Sequence, residues 1–148
     1  MAVGDGWTSR LIAGAAQHLD DLGIGVYRPT GAYTADEIGI FQRVIPPTPD
    51  RVITLATYVI ASPVGLADFT TGLQVRIRAT VDPRVCDDLG DAIFDAWDSA
   101  AGLRWSLIPI VQIYRQSSAS LGQDGNDRWE SSHNYYVEAM RPTIYRTD

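Results

Sequence analysis

Apolar positions recur at three- and four-residue spacing over residues 7–22, where Trp7, Leu11, Ala15, Leu19 and Leu22 share one side. That period predicts an amphipathic helix. Asp5 or Thr8 can cap its start, and Gly23 stands where a left-handed residue ends a helix. Asp20 and Asp21 lie at the end the helix dipole disfavours, at little cost if exposed. Residues 23–36 are broken by Gly25, Pro29 and Gly31 and predict a loop with a short extended piece at 26–28. Residues 38–45 read as an apolar strand. Pro46, Pro47 and Pro49 then remove three amide donors, which predicts a rigid bend. Residues 51–61, RVITLATYVIA, are dense in β-branched side chains and predict a strand. Residues 62–71, containing Pro63 and Gly65, read as a wide connection.

The clearest pattern in the chain spans residues 72–97, GLQVRIRATVDPRVCDDLGDAIFDAW. Leu73, Val75, Ile77, Ala79 and Val81 alternate with Gln74, Arg76, Arg78 and Thr80, so one face packs on a core and the other meets water or a partner. Asp82-Pro83 places a capping carboxylate before a proline at the first helical position. Val85 or Cys86, Leu89, Ile93, Ala96, Trp97 and Ala100 form the apolar side of the helix that follows, and Gly102 ends it. Residues 106–116 predict another strand, with Pro109 placing its first half at an edge or bulge. Residues 117–127, SSASLGQDGND, read as a polar mobile loop. Residues 128–140 form the last strand, with Trp129, His133, Tyr135, Val137 and Ala139 on one face.

Runs of strands broken by single helices predict an α+β fold. The expectation is one domain, residues 1–148, with a mainly antiparallel sheet of about four to five strands and two helices on one face. At this length such a domain buries about two thirds of its unfolded surface. A hydrophobic fraction of 45% with 20% charged residues is globular rather than disordered composition.

Charge narrows the function classes. The 12 basic residues are all arginine and face 18 acidic ones, for a net charge of −6. Such a chain is poorly suited to neutralising nucleic-acid phosphates. The single cysteine, Cys86, excludes an internal disulfide and fits a reducing compartment. No apolar run is long enough to cross a membrane, and the first residues, MAVGDGW, carry no signal-peptide pattern. The expected setting is the cytoplasm, or assembly there.

Chemical motifs are sparse. Cys86, His18 and His133 lack paired metal-ligand spacing, and neither a nucleophile elbow nor a phosphate loop occurs. Packing roles are therefore the expectation for all three, with no catalytic residue, cofactor or metal. Asp87, Asp91, Asp95 and Asp98 fall at four, four and three residues and make an acidic helix stripe. Like charges at that spacing destabilise a helix by about 0.2–0.5 kcal/mol per pair. The stripe is either a solvated face or one that meets arginines of a neighbouring subunit. Arg76 and Arg78, on the polar side of the adjoining strand, are its natural complements. Arg76, Arg78, Asp87, Asp91 and Asp95 are thus the candidate interface residues. A different class, a small-molecule-binding or enzymatic α+β domain, would use His133 with an aspartate as acid and base.

Two segments carry a family resemblance. One is Pro46-Pro47-Thr48-Pro49-Asp50-Arg51-Val52-Ile53-Thr54-Leu55, followed by Tyr58. The other runs from Gly72-Leu73-Gln74-Val75-Arg76-Ile77-Arg78 through Asp82-Pro83 to Asp88-Leu89 and Ile93-Phe94-Asp95. With Asn134-Tyr135-Tyr136-Val137 and Arg141-Pro142, the chain from about residue 23 to 142 resembles the tail terminator, or minor capsid, proteins of long-tailed bacteriophages. The resemblance implies a hexameric ring on the head-proximal end of the tail tube. That ring stops tube polymerisation and offers the surface to which the head joins, without catalysis or cofactor. The implied partners are other copies of the chain, the tail tube protein and a head-completion or connector protein, with DNA passing through unbound. The implied location is the virion, at the head–tail junction. A head-completion or other head–tail connector role is the neighbouring alternative.

Overall fold

The computed structural model describes residues 1–147. Its elements are α1 (Trp7–Asp21), β1 (Val26–Tyr27), β2 (Gly39–Gln42), β3 (Val52–Ala61), β4 (Asp68–Arg78), α2 (Pro83–Trp97), β5 (Ala100–Trp105), β6 (Ile108–Gln123) and β7 (Trp129–Met140). Among the described residues the strands make one seven-stranded sheet ordered β1-β2-β3-β4-β7-β6-β5. β2 pairs in parallel with both β1 and β3, and the other neighbours are antiparallel. The α+β class with two helices stands. The sheet is larger than the four to five strands expected, and it is mixed at one edge.

The alternation in β4 is realised. Leu73, Val75, Ile77 and Ala79 are fully buried, and Tyr135, Val137 and Ala139 of β7 join them on the same side. Both helices pack there. Leu11, Ile12, Ala15, Ala16 and Leu19 of α1 and Cys86, Leu89, Ile93 and Trp97 of α2 share one core with these strand residues. Val81 departs from the pattern and is exposed, because the strand ends at Arg78 and the chain turns toward α2.

The start of α2 follows the sequence signal. Asp82 Oδ1 accepts the Arg84 amide at 3.0 Å, with Pro83 opening the helix. Its end does not. Ser99, at φ +67°, turns the chain, its amide donates to Ile113 O, and Ala100 enters β5 instead of extending the helix. The cap expected on α1 is also different. Gly6 occupies that position, and Asp5 Oδ2 accepts from the Ala2 amide instead.

Three further departures concern the strands. The strand expected over residues 106–116 is β6, but it begins at Ile108, because Ser106 and Leu107 make a two-residue turn between β5 and β6. β5 escaped the pattern because AAGLRW has neither an alternating nor a β-branched signal. Residues 117–127 do not form a loop. Through Gln123 they extend β6, and their backbone is paired with β7 as far as Gln123–Trp129. Small polar side chains suit that stretch because it is exposed on most of its length.

Candidate assembly surfaces

The two faces of β4 separate the arginines from the acidic stripe that the sequence offered as their complement. Odd-numbered positions point to α2, whereas Arg76 and Arg78 lie on the helix-free side. Within one copy the acidic stripe and these arginines therefore do not come together. Arg78 is not exposed. Only 4% of it is accessible, and it donates from Nε to Asp50 O at 3.1 Å and from Nη2 to Pro49 O at 2.6 Å. Burial, reinforced by the nearby Arg128, lowers its pKa. Arg78 is a clamp for the proline-rich bend rather than the exposed residue that the sequence suggested. Arg76 is half-buried and paired with Glu130 across the sheet at 3.2 Å.

Arg128 completes that clamp. Its Nη1 donates to Pro47 O at 2.8 Å and Asp50 Oδ1 at 3.1 Å, and its Nε donates to Asp124 Oδ2 at 2.9 Å. Asp124 also accepts the backbone amides of Asn126 and Arg128, and these bonds hold its carboxyl below the usual range. The bend, the end of β4 and the β6–β7 turn are thus tied into one unit. The three prolines, the two arginines and the two aspartates were each visible in the sequence. Their convergence was not, because the partners are up to 81 residues apart.

Asp87, Asp91 and Asp95 are exposed on α2, and among the described residues none of them makes an ion pair. Asp98, the fourth of the series, turns inward and accepts the Arg115 amide at 2.9 Å. Asp87 and Asp91 border a cleft of about 560 Å³ between α2 and the outer half of the β6–β7 hairpin. On its floor Cys86 Sγ donates to Ser131 Oγ at 3.3 Å, and Ser131 Oγ lies 3.0 Å from His133 Nε2. Burial raises the thiol's pKa. Burial, with Arg115 adding to it, lowers that of His133. Burial thus favours the neutral form of both side chains, which are linked through Ser131, and this is a packed polar contact rather than an activated nucleophile. Gly90 is what admits the imidazole, since a Cβ there would lie 3.0 Å from the ring.

His18 also has a packing role. Its Nδ1 accepts from the indoles of Trp97 at 3.0 Å and Trp105 at 3.3 Å, joining α1, α2 and β5. Among the described residues no three His, Cys, Asp or Glu side chains are arranged to hold a metal.

The opposite side of the sheet carries no helix. Tyr58, Tyr114 and Tyr136 project from it, with the Tyr114 and Tyr136 rings 5.7 Å apart. The Tyr58 ring lies directly over Gly72, where a side chain would collide with it. At one end of the sheet the outer part of β3 presents Val59, 64% exposed, and the β3–β4 connection presents Val64, 98% exposed. Residues 52–67 contain no charged side chain, a signal that sequence inspection alone could have flagged as a contact surface.

A family model described as "Bacteriophage tail terminator protein" matches residues 18–141 of this chain. The chain belongs to the bacteriophage tail terminator family. It is accordingly a phage structural protein. Among solved structures it is similar to a chain of the "Virion of native gene transfer agent (GTA) particle". The TM-score is 0.58 at 15% identity, over 68% of this chain and 78% of that one. At that identity the likeness concerns the fold. Comparison with curated proteins finds no match.

Proposed function

We propose that this terminator closes the head-proximal end of a tail tube as a hexameric ring. In that position it ends tube polymerisation and offers the surface to which the head joins. The family match across residues 18–141 carries this reading. The fold similarity to a chain of a gene transfer agent virion supports the same architecture. Its partners are then copies of itself, the tail tube protein and a head-completion protein, and its place is the virion. DNA passes through the ring without adhering, because a chain of net charge −6 repels phosphate. The family match weighs against a catalytic reading through His133, whose Nε2 is taken up by Ser131.

Purified protein added to polymerising tail-tube protein tests the proposal. Tubes of finite length bearing a cap at one end are the expected product in electron micrographs. Open polymerisation that continues as without the protein overturns it. A protein that binds the head connector and leaves tubes unchanged would move it to the head-completion role.

A further inference from the structure

Arg104 stands apart from the other arginines. Each of those hydrogen-bonds within the chain or lies over an aromatic ring. Arg104, exposed on the edge strand β5, has neither kind of partner among the described residues. Three residues on, Leu107 is 82% exposed at φ +67°, next to Ser106 at φ +50°. A two-residue turn of this hand is normally built from Asn and Gly. A left-handed conformation is sterically disfavoured for a residue with a side chain. Leucine accepts that strain here and buries almost none of its own surface within the chain.

The cleft beside α2 has the opposite character. Asp87 and Asp91 line it unpaired, one helical turn apart, and they repel each other. Arg115 is the basic residue in its lining, and that guanidinium sits 4.3 Å from the centre of the Phe94 ring. Pro83, Ala119 and Trp129 add apolar wall. The opening therefore suits a cation carried beside an apolar side chain.

We infer that copies of this chain are joined by the β5–β6 turn of one copy entering the α2 cleft of the next, with Arg104 against Asp87 and Asp91 and Leu107 against the apolar wall. The inference rests on the ring reading above and replaces Arg76 and Arg78 with Arg104 as the basic half of the contact. A second copy is the occupant that the chain itself specifies, because among the described residues the unpaired Arg104 and the unpaired acidic cleft lie on unlike surfaces of the same molecule. Unlike surfaces on each copy are what a head-to-tail ring contact needs.

The test compares Arg104→Asp, the pair Asp87→Arg with Asp91→Arg, all three changes combined, and Leu107→Gly. Association is read by native mass spectrometry and by tube capping, and folding by circular dichroism. Each one-sided reversal should weaken association by about tenfold or more, and the combined variant should recover it. Leu107→Gly should weaken association while leaving thermal stability equal or higher, since glycine relieves the strained turn. One-sided reversals that associate like the wild type overturn the inference, as does a combined variant no better than either half. So does loss of binding to tube or head protein with self-association intact, which would make the cleft a site for another virion component. If the wild type caps tubes and Arg104→Asp caps them equally, the contact falls and the terminator reading stands. If rings form and depend on Arg104 but never cap tubes, the contact stands and that reading falls. A wild type that stays monomeric alone and on tubes overturns both.

Discussion

His18 accepts hydrogen bonds from two indoles at once, and that dual role makes it sensitive to acid. Its neutral form is the acceptor, so a proton on Nδ1 would break both bonds. Burial lowers its pKa from 6.5, partly opposed by Asp21. His133 is lowered in the same way by burial and Arg115, partly opposed by Asp91. A folded pKa below the unfolded one means that stability is complete above about pH 6.5 and is lost as pH falls toward the folded values. Thermal unfolding between pH 7 and pH 5 should therefore show a falling Tm. In His18→Phe that fall should be shallower, with only the His133 share left. An unchanged slope would place the acid sensitivity elsewhere. Neither role was legible in the sequence, where His18 is one polar residue at the margin of an apolar stripe. The two tryptophans reach it from 79 and 87 residues away.

Among the elements, the proline-rich bend shows how a loop is held without regular structure. Its carbonyls at Pro47, Pro49 and Asp50 take their donors from Arg78 and Arg128, both nearly buried. Arg78→Ala should cost about 1.5–3 kcal/mol, the range for hydrogen bonds to a charged group, read as a lowered denaturant midpoint. A midpoint within error of wild type would show that the bend is held by packing alone. Arg78→Glu should be worse than alanine, because it buries a carboxylate against two carbonyl oxygens. At this scale the sequence was most informative where one element's own chemistry decides its form. The Asp82-Pro83 start, the alternation of β4 and the apolar side of α2 are of that kind. It was least informative for β5 and the outer half of β6. There the polar residues are strand because β7 and β6 supply backbone partners.

For the molecule as a whole, the net charge of −6 is not balanced by a basic face. Among the described residues the arginines apart from Arg104 are engaged within the chain by carboxylates, carbonyls, a hydroxyl or aromatic rings. Duplex DNA should accordingly migrate unretarded with the protein even at low ionic strength, where electrostatic binding is strongest. A mobility shift that disappears with added salt would show a basic surface created by assembly and would count against a passive lumen. The helix-free sheet face with its tyrosines and the uncharged β3–β4 tip lie apart from the α2 cleft. A single copy therefore offers several distinct surfaces, as a subunit with more than one kind of neighbour needs.

By itself the sequence determined the class of fold, the core side of β4 and α2, and the family. Those rest on period, caps and short motifs, which are local. The tertiary structure alone decided which charges are available to a partner. Arg76 and Arg78 carry the same charge as Arg104 and stand in a cleaner pattern, yet one is paired across the sheet and the other is sealed under the bend. Availability depends on what the rest of the chain brings alongside, and those neighbours are set by contacts between residues far apart in sequence.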